Sequence, residues 1–182
     1  RIYRILSRLV HIYCGDGKGK TSAAVGLAVR AAGCGKRVVI ARFLKTDNSG
    51  EVEILKKIPE VTLIPCRKTF GFVRSMDEET KRECAAYHRE LFGEAVKLAE
   101  HADLVVFDEI MAAVNYGMVP ERDVLEFLEN RPGRDQTDGL EIVLTGRDPS
   151  EKLIAAADYV SEICKRKHPF DRGIMARRGV EY

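Results

Sequence analysis

The sequence predicts an α/β fold: a doubly wound, mostly parallel sheet of about six strands with helices on both faces. Three observations carry this. Short apolar runs alternate with longer helical patterns, as parallel βαβ units do in sequence. The runs are almost continuous in Val, Ile and Leu, which suits strands covered on both faces. The first run and the first helical pattern are joined by a glycine-rich turn. A chain of 182 residues with 45% hydrophobic content can bury a real core, and one domain spanning 1–182 accounts for it.

In chain order, the basic stretch Arg1 to Arg8 reads as an N-terminal extension without a signal-peptide core. Strand one is expected at Leu9–Cys14. A helix follows at Thr21–Ala32, closed by Gly33 and Gly35, which turn the chain toward a second strand at Arg37–Phe43. A helix at Glu51–Ile58 leads to a strand at Val61–Pro65. The long helix Met76–His101 opens with Ser75 and Glu78 as a capping box. Strands at Leu104–Phe107, Glu141–Thr145 and Tyr159–Ile163 alternate with helices at Pro120–Asn130 and Ser150–Ala157. The least regular insertion, residues 131–139, reads as a solvated loop. By pattern alone the polar, glycine-punctuated end of the chain would be a fraying tail.

Thirty Lys and Arg against twenty-eight Asp and Glu give a net charge of +2, too close to balance to argue for nucleic acid or an anionic membrane as partner. No apolar run has the length of a membrane span. Cysteines at 14, 34, 66, 84 and 164 form no CxxC pair and no metal-ligand rhythm, so a reducing cytoplasm is the expected compartment. Cys14 stands next to the glycine-rich turn, but its expected role is that of a small buried hydrophobe. His11, His88 and His101 belong to no catalytic motif.

The turn itself, Cys14-Gly-Asp-Gly-Lys-Gly-Lys-Thr-Ser22, has the strand and helix context of a P-loop. Glycines let backbone N–H groups turn inward around an anion, the helix N-terminus adds its positive end, and Lys20 supplies a mobile charge. Gly15, Asp16, Gly17, Lys18, Gly19, Lys20, Thr21 and Ser22 are therefore the candidate phosphate cradle, and a nucleoside triphosphate such as ATP is its natural guest. This makes the fold P-loop NTPase-like, of the RecA-like kind. The spacing is one residue short, since only Asp16, Gly17 and Lys18 separate Gly15 from Gly19, and Cys14 stands where the earlier glycine would be. A tighter arc around the phosphates follows.

A second candidate site is Asp108-Glu109, at the end of the apolar run Leu104 to Phe107. Carboxylates there are costly unless they face a cation, and in P-loop proteins this position serves magnesium, with Thr21 completing the set from the other side. Arg147 ends the fifth strand at the same sheet edge, where a guanidinium either clamps phosphate oxygens or makes a structural salt bridge. Ligands of such sheets bind beyond the C-terminal ends of the strands.

Gly15-Asp-Gly-Lys-Gly-Lys-Thr-Ser-Ala-Ala24, Val105-Val-Phe-Asp-Glu109, Asn130-Arg-Pro-Gly133, Val143-Leu-Thr-Gly-Arg147, Asp158-Tyr-Val-Ser-Glu162, Lys167-His-Pro-Phe-Asp-Arg-Gly173 and Gly179-Val-Glu-Tyr182 together resemble the ATP:corrinoid adenosyltransferases of the cobalamin pathway. The resemblance runs from Leu9 to the end of the chain. Two departures stand out: a longer loop after Gly133, and no tryptophan, where relatives often carry one near the corrinoid.

The resemblance implies transfer of the 5′-deoxyadenosyl group of ATP to the cobalt(I) of a reduced corrinoid, with release of tripolyphosphate, and a short P-loop that takes ATP in the reverse sense from P-loop hydrolases. Cobalt(I) is itself the nucleophile, so no general base is needed; the protein positions ATP and stabilises departing charge. Lys20, Thr21 and Glu109 are then the catalytic candidates, with Thr21, Asp108 and Glu109 around Mg2+, and Arg30 facing the nucleotide from the first helix. Phe70-Gly-Phe72 stands where relatives place an aromatic wedge that removes the lower cobalt ligand; taken alone, the two rings suit local core equally well. The resemblance further implies a reductant such as a reduced flavoprotein, a homodimer, and a C-terminal segment, residues 165–182, folded back toward the site or a partner subunit. His168 has either a role there or a structural one. The readings from other classes are a P-loop ATPase or kinase yielding ADP, which the shortened loop disfavours, and a nucleotide-dependent regulatory module.

Overall fold

A computed structural model describes residues 9–133 and 139–182. The proposed N-terminal extension and residues 134–138 of the irregular insertion lie outside the described residues. Six parallel strands form one sheet in the order β3-β2-β4-β5-β1-β6. They are β1 (Val10–Cys14), β2 (Val38–Arg42), β3 (Val61–Leu63), β4 (Leu104–Asp108), β5 (Glu141–Thr145) and β6 (Tyr159–Glu162). The helices are α1 (Lys20–Gly33), α2 (Gly50–Leu55), α3 (Glu78–Ala99), α4 (Ile110–Asn115), α5 (Glu121–Asn130) and α6 (Glu151–Ala156). The sheet is thus parallel throughout.

Because side chains alternate along a strand, each inner strand feeds two cores. Val38, Ile40, Leu104, Val106 and Val143 face one side, where Ala24, Ala28 and Ala32 of α1 and Leu55 of α2 cover them. Val39, Ala41, Val105, Phe107, Ile142 and Leu144 face the other, against Leu91, Phe92 and Ala95 of α3, Ile110 and Met111 of α4 and Phe127 of α5. The small-residue stripe of α1 lets that helix lie close to the sheet, which brings the phosphate loop down onto the strand ends. Full cover holds for the inner strands only. β6 is an edge strand with all four side chains exposed, contrary to the expectation of cover on both faces.

Two other local expectations change. The α3 cap is Asp77, whose carboxylate accepts from the Thr80 amide at 2.7 Å, instead of Ser75 with Glu78. Ser75 is consumed by the preceding 3-10 turn, Val73–Ser75, where its hydroxyl donates to the Phe72 carbonyl. The sequence reading also lacked α4, six residues tucked directly behind β4. Among the described residues, no helix is long and apolar enough to cross a membrane.

Candidate active site

Strand order and register gather the site. β1, β5 and β4 are neighbours, pairing Tyr13 with Thr145 and Phe107 with Leu144, and β2 pairs Arg42 with Asp108. The segments leaving these four strands therefore emerge side by side along one C-terminal sheet edge.

The loop after β1 is closed by the chain leaving β6. The Gly17 amide donates to the Ile163 carbonyl at 2.7 Å. A Cβ on Gly15 or Gly17 would come within 2.4 or 2.6 Å of that carbonyl, and Gly15 and Gly19 hold φ of +105° and +123°. Here glycine is required both by close approach and by backbone conformation. Gly19 caps α1 without any side-chain hydrogen bond, and no acidic residue lies in the first turn, as suits an anion at a helix N-terminus. Lys20 Nζ donates to the Gly17 carbonyl at 2.9 Å. Burial, then the neighbouring Arg147, lowers the Lys20 pKa, while Glu109 and Asp16 oppose the shift. Ser22 is exposed beside the loop.

Beneath the loop, the Thr21 hydroxyl donates to Asp108 Oδ1 at 3.0 Å, and the Thr145 hydroxyl donates to the same oxygen at 2.7 Å. Thr145 Oγ1 in turn accepts from the Glu109 amide at 2.8 Å. Asp108 is only 2% exposed. Its negative charge is met by Lys45, whose ammonium contacts the Asp108 carboxylate and donates to Thr21 Oγ1 at 2.7 Å. A carboxylate and a hydroxyl with a cationic group already seated between them form a fitting donor set for a hard divalent cation that keeps phosphate and water as its other ligands. Among the described residues no group of three or more His, Cys, Asp or Glu converges as an all-protein metal cage.

Glu109 adopts a left-handed backbone, φ 61°, and caps α4. That turn places its side chain in a cleft shared with Lys45, Phe72, Val73 and Tyr116, so Asp108 is the carboxylate hydrogen-bonded to Thr21. Gly146, at φ +137°, lies against Met111 of α4, where a Cβ would sit 2.6 Å from the Met111 Cβ. Arg147 follows it and acts electrostatically on both Lys20 and Asp16.

The aromatic pair divides. Phe70 is half-buried, 5.6 Å from the Tyr87 ring and 6.2 Å from the His88 ring of α3, with the Lys68 ammonium 5.0 Å over its face. Phe72 is 87% exposed. Both line a cleft of about 320 Å³ with Leu44, Lys45 and His88. Arg30 lies elsewhere: ten residues along α1 from Lys20, about 15 Å at helical rise, it is exposed and lines a cleft with Leu9, Asp103 and Glu141 at the N-terminal edge of the sheet. Cys14 is buried in the core and burial raises its thiol pKa.

Sequence reasoning missed two residues. Lys45 follows β2 by three positions, and a lysine just beyond a buried strand at the ligand edge was the available signal. His88 carried none, because its role depends on α3 passing the end of β2. Its Nε2 accepts from the Leu44 amide at 2.9 Å while its other ring nitrogen bonds the Cys84 carbonyl at 2.8 Å.

The C-terminal segment lies over the loop. The Lys165 amide donates to Asp16 Oδ1 at 2.8 Å, and Lys18 pairs with Glu181 at 3.3 Å. Hydrogen bonds from Arg177, its side chain first, hold Glu181 down at about 2. Residues 179–182 wall a cleft of about 660 Å³ with Thr21, Ser22, Lys45 and Gly50. His168 accepts from the Phe170 amide at 3.2 Å and caps a short 3-10 turn, Pro169–Arg172.

Three comparisons bear on what this arrangement is. A solved ATP synthase subunit, NeqB from Nanoarcheaum equitans, superposes with a TM-score of 0.54 at 8% identity over 95% of this chain and 54% of that one, a likeness of fold. Corrinoid adenosyltransferases of Escherichia coli and Salmonella typhimurium are each 34% identical to it over 96% of its length and 85% of theirs. That of Pseudomonas aeruginosa is 31% identical over 94% and 82%. The family model of ATP:corrinoid adenosyltransferase BtuR/CobO/CobP matches residues 7–182, and the chain belongs to that family of transferases.

Proposed function

We propose that this enzyme transfers the 5′-deoxyadenosyl group of ATP to the cobalt(I) of a reduced corrinoid and releases tripolyphosphate. The observation that carries the reading is the shortened glycine loop set directly over the Thr21–Asp108 pair, in a chain of this family. Lys20, Lys18 and the loop amides would hold the triphosphate, with Arg147 contributing from the next strand end. Their positive charge is preorganised where the leaving group gains negative charge, the usual source of the largest rate effect. Magnesium, when bound, would neutralise part of that charge, held by Thr21 and Asp108 with Glu109 at the rim.

The exposed ring of Phe72, with Phe70 behind it, would meet the corrinoid across the cleft that begins at Lys45. Its proposed task is to displace the lower cobalt ligand so that a mild electron donor, such as a reduced flavoprotein, can make cobalt(I). A cytoplasmic setting and a homodimer complete the proposal, the second copy being the available source of contacts for the Arg30 edge. Phosphorus NMR of a reaction with ATP, magnesium and chemically reduced cobalamin tests it. Tripolyphosphate appearing with the adenosylated corrinoid is the expected result; ADP would make the protein a hydrolase or kinase, and unchanged ATP a binding module.

A further inference from the structure

Lys45 sits where three clefts meet. Its side chain borders the one beneath residues 179–182, the one lined by Phe70 and His88, and the one shared by Glu109 and Phe72. At that junction its ammonium is bonded to both members of the Thr21–Asp108 pair.

The backbone enforces the placement. Leu44 holds a left-handed φ of 51°, unusual for a residue with a branched side chain, and such conformations persist only where the surroundings over-determine them. Those surroundings are visible: the Leu44 amide is fixed by His88 Nε2 at 2.9 Å, and the Phe43 amide by the Asp108 carbonyl at 2.9 Å. The turn aims a flexible four-carbon stem with a compact charge at a buried carboxylate.

We propose that Lys45 is a resident counter-cation of the Thr21–Asp108 pair and competes with a divalent ion for it, so that the ion is held firmly only when a polyphosphate arrives to take over the lysine's charge. Charge balance is the reason. One buried carboxylate is neutralised by one ammonium; a divalent ion added at the same oxygens leaves the site strongly positive until a triphosphate supplies the missing negative charge. An ammonium on a mobile stem can leave Asp108 for phosphate oxygens in an adjoining cleft without the backbone moving. The inference rests on the reading of Thr21 and Asp108 as the magnesium-binding pair.

The test measures Mn2+ binding by electron paramagnetic resonance, without corrinoid, for the wild type, Lys45→Met and Lys45→Arg. In the absence of nucleotide, Lys45→Met should bind Mn2+ about tenfold tighter or more, within the usual range of coupling between competing ligands. Lys45→Arg should stay as weak as the wild type. Inorganic tripolyphosphate should abolish or reverse the advantage of Lys45→Met. If Lys45→Met does not fold, Lys45→Gln, uncharged but able to donate to Asp108, should shift the affinity in the same direction. Unchanged or weaker Mn2+ binding in the neutral variants, or an advantage that survives tripolyphosphate, overturns the proposal. Because no adenosyl transfer is measured, this result stands apart from the NMR outcome. Transfer with unaltered Mn2+ binding sinks the role of Lys45 alone.

Discussion

At the scale of single residues, the site is defined by groups whose surroundings leave them little choice. Lys20 is half-buried, its pKa pushed down mainly by burial, and its ammonium lies against its own loop. Lys20→Ala should lower adenosyl transfer by about a hundredfold or more, as loss of one preorganised electrostatic partner does. Its thermal midpoint should stay near that of the wild type, and near-normal turnover at saturating ATP would remove the loop from the mechanism. Gly146→Ala should fail differently. Its Cβ would strike Met111 at a φ that L-residues avoid, so the cost is paid in stability, about 1–3 kcal/mol by the general scale of strained backbone positions. Denaturant melts would read it. His88 sets a pH dependence. Burial, partly opposed by the Cys84 hydrogen bond, lowers its folded pKa, so the unfolded chain binds the proton more readily. Stability is then complete above the unfolded value of about 6.5 and declines as pH falls below it. Protonation also makes Nε2 a donor facing the Leu44 amide. Midpoints measured across acidic pH should therefore fall more steeply for the wild type than for His88→Gln; parallel curves would refute the assignment.

At the scale of elements, the loop between β3 and α3 shows how one sequence motif can hold two physical roles. Phe70 is anchored on Tyr87 and His88, whereas Phe72 stands free in solvent. Phe70→Ala should lower the thermal midpoint, by less than the ~3–5 kcal/mol of a fully buried Phe→Ala because its ring is only half covered. Phe72→Ala should leave the midpoint unchanged and slow adenosylation when a mild reductant must generate cobalt(I), with recovery when a strong chemical reductant supplies it. Equal losses with both reductants would show that Phe72 does not act on the cobalt. The elements themselves were largely legible. Each strand was a short apolar run, and α1 and α3 carried helical patterns long enough to identify. α4 was not, because six residues pressed behind β4 are buried on most sides and have no amphipathic period to read. The α3 cap was misassigned because Ser75 and Asp77 are both good caps, and the choice between them rests on the 3-10 turn that consumes Ser75.

At the scale of the whole molecule, the phosphate loop, Asp108, Arg147 and Lys45 come from different strand ends and meet only because the order β2-β4-β5-β1 sets those ends in a row. The loop and Asp108 were legible because each announces itself locally, as a glycine pattern or as a carboxylate closing an apolar strand. Lys45 and His88 act through that ordering, and Arg30 fell at the opposite edge because a helix of fourteen residues carries its last turn away from the loop it begins at. The same logic governs the C-terminal segment, which reaches the site by crossing from β6, the strand beside β1. Glu181 is held ionised by Arg177 and meets Lys18 beside the loop. It is therefore a rival for the charge that the triphosphate must use. The rivalry is mild, since an ion pair with Lys18 half exposed is weakened by solvent screening. Glu181→Gln should accordingly tighten binding of tripolyphosphate by up to about fivefold, and the gain should fade as added salt screens the pair in the wild type. Lys18→Met in the same background should erase the gain, because the competition needs both partners. Isothermal titration of the single and double variants at low and high salt decides it: weaker binding in Glu181→Gln would make the C-terminal segment a support for the nucleotide instead of its competitor.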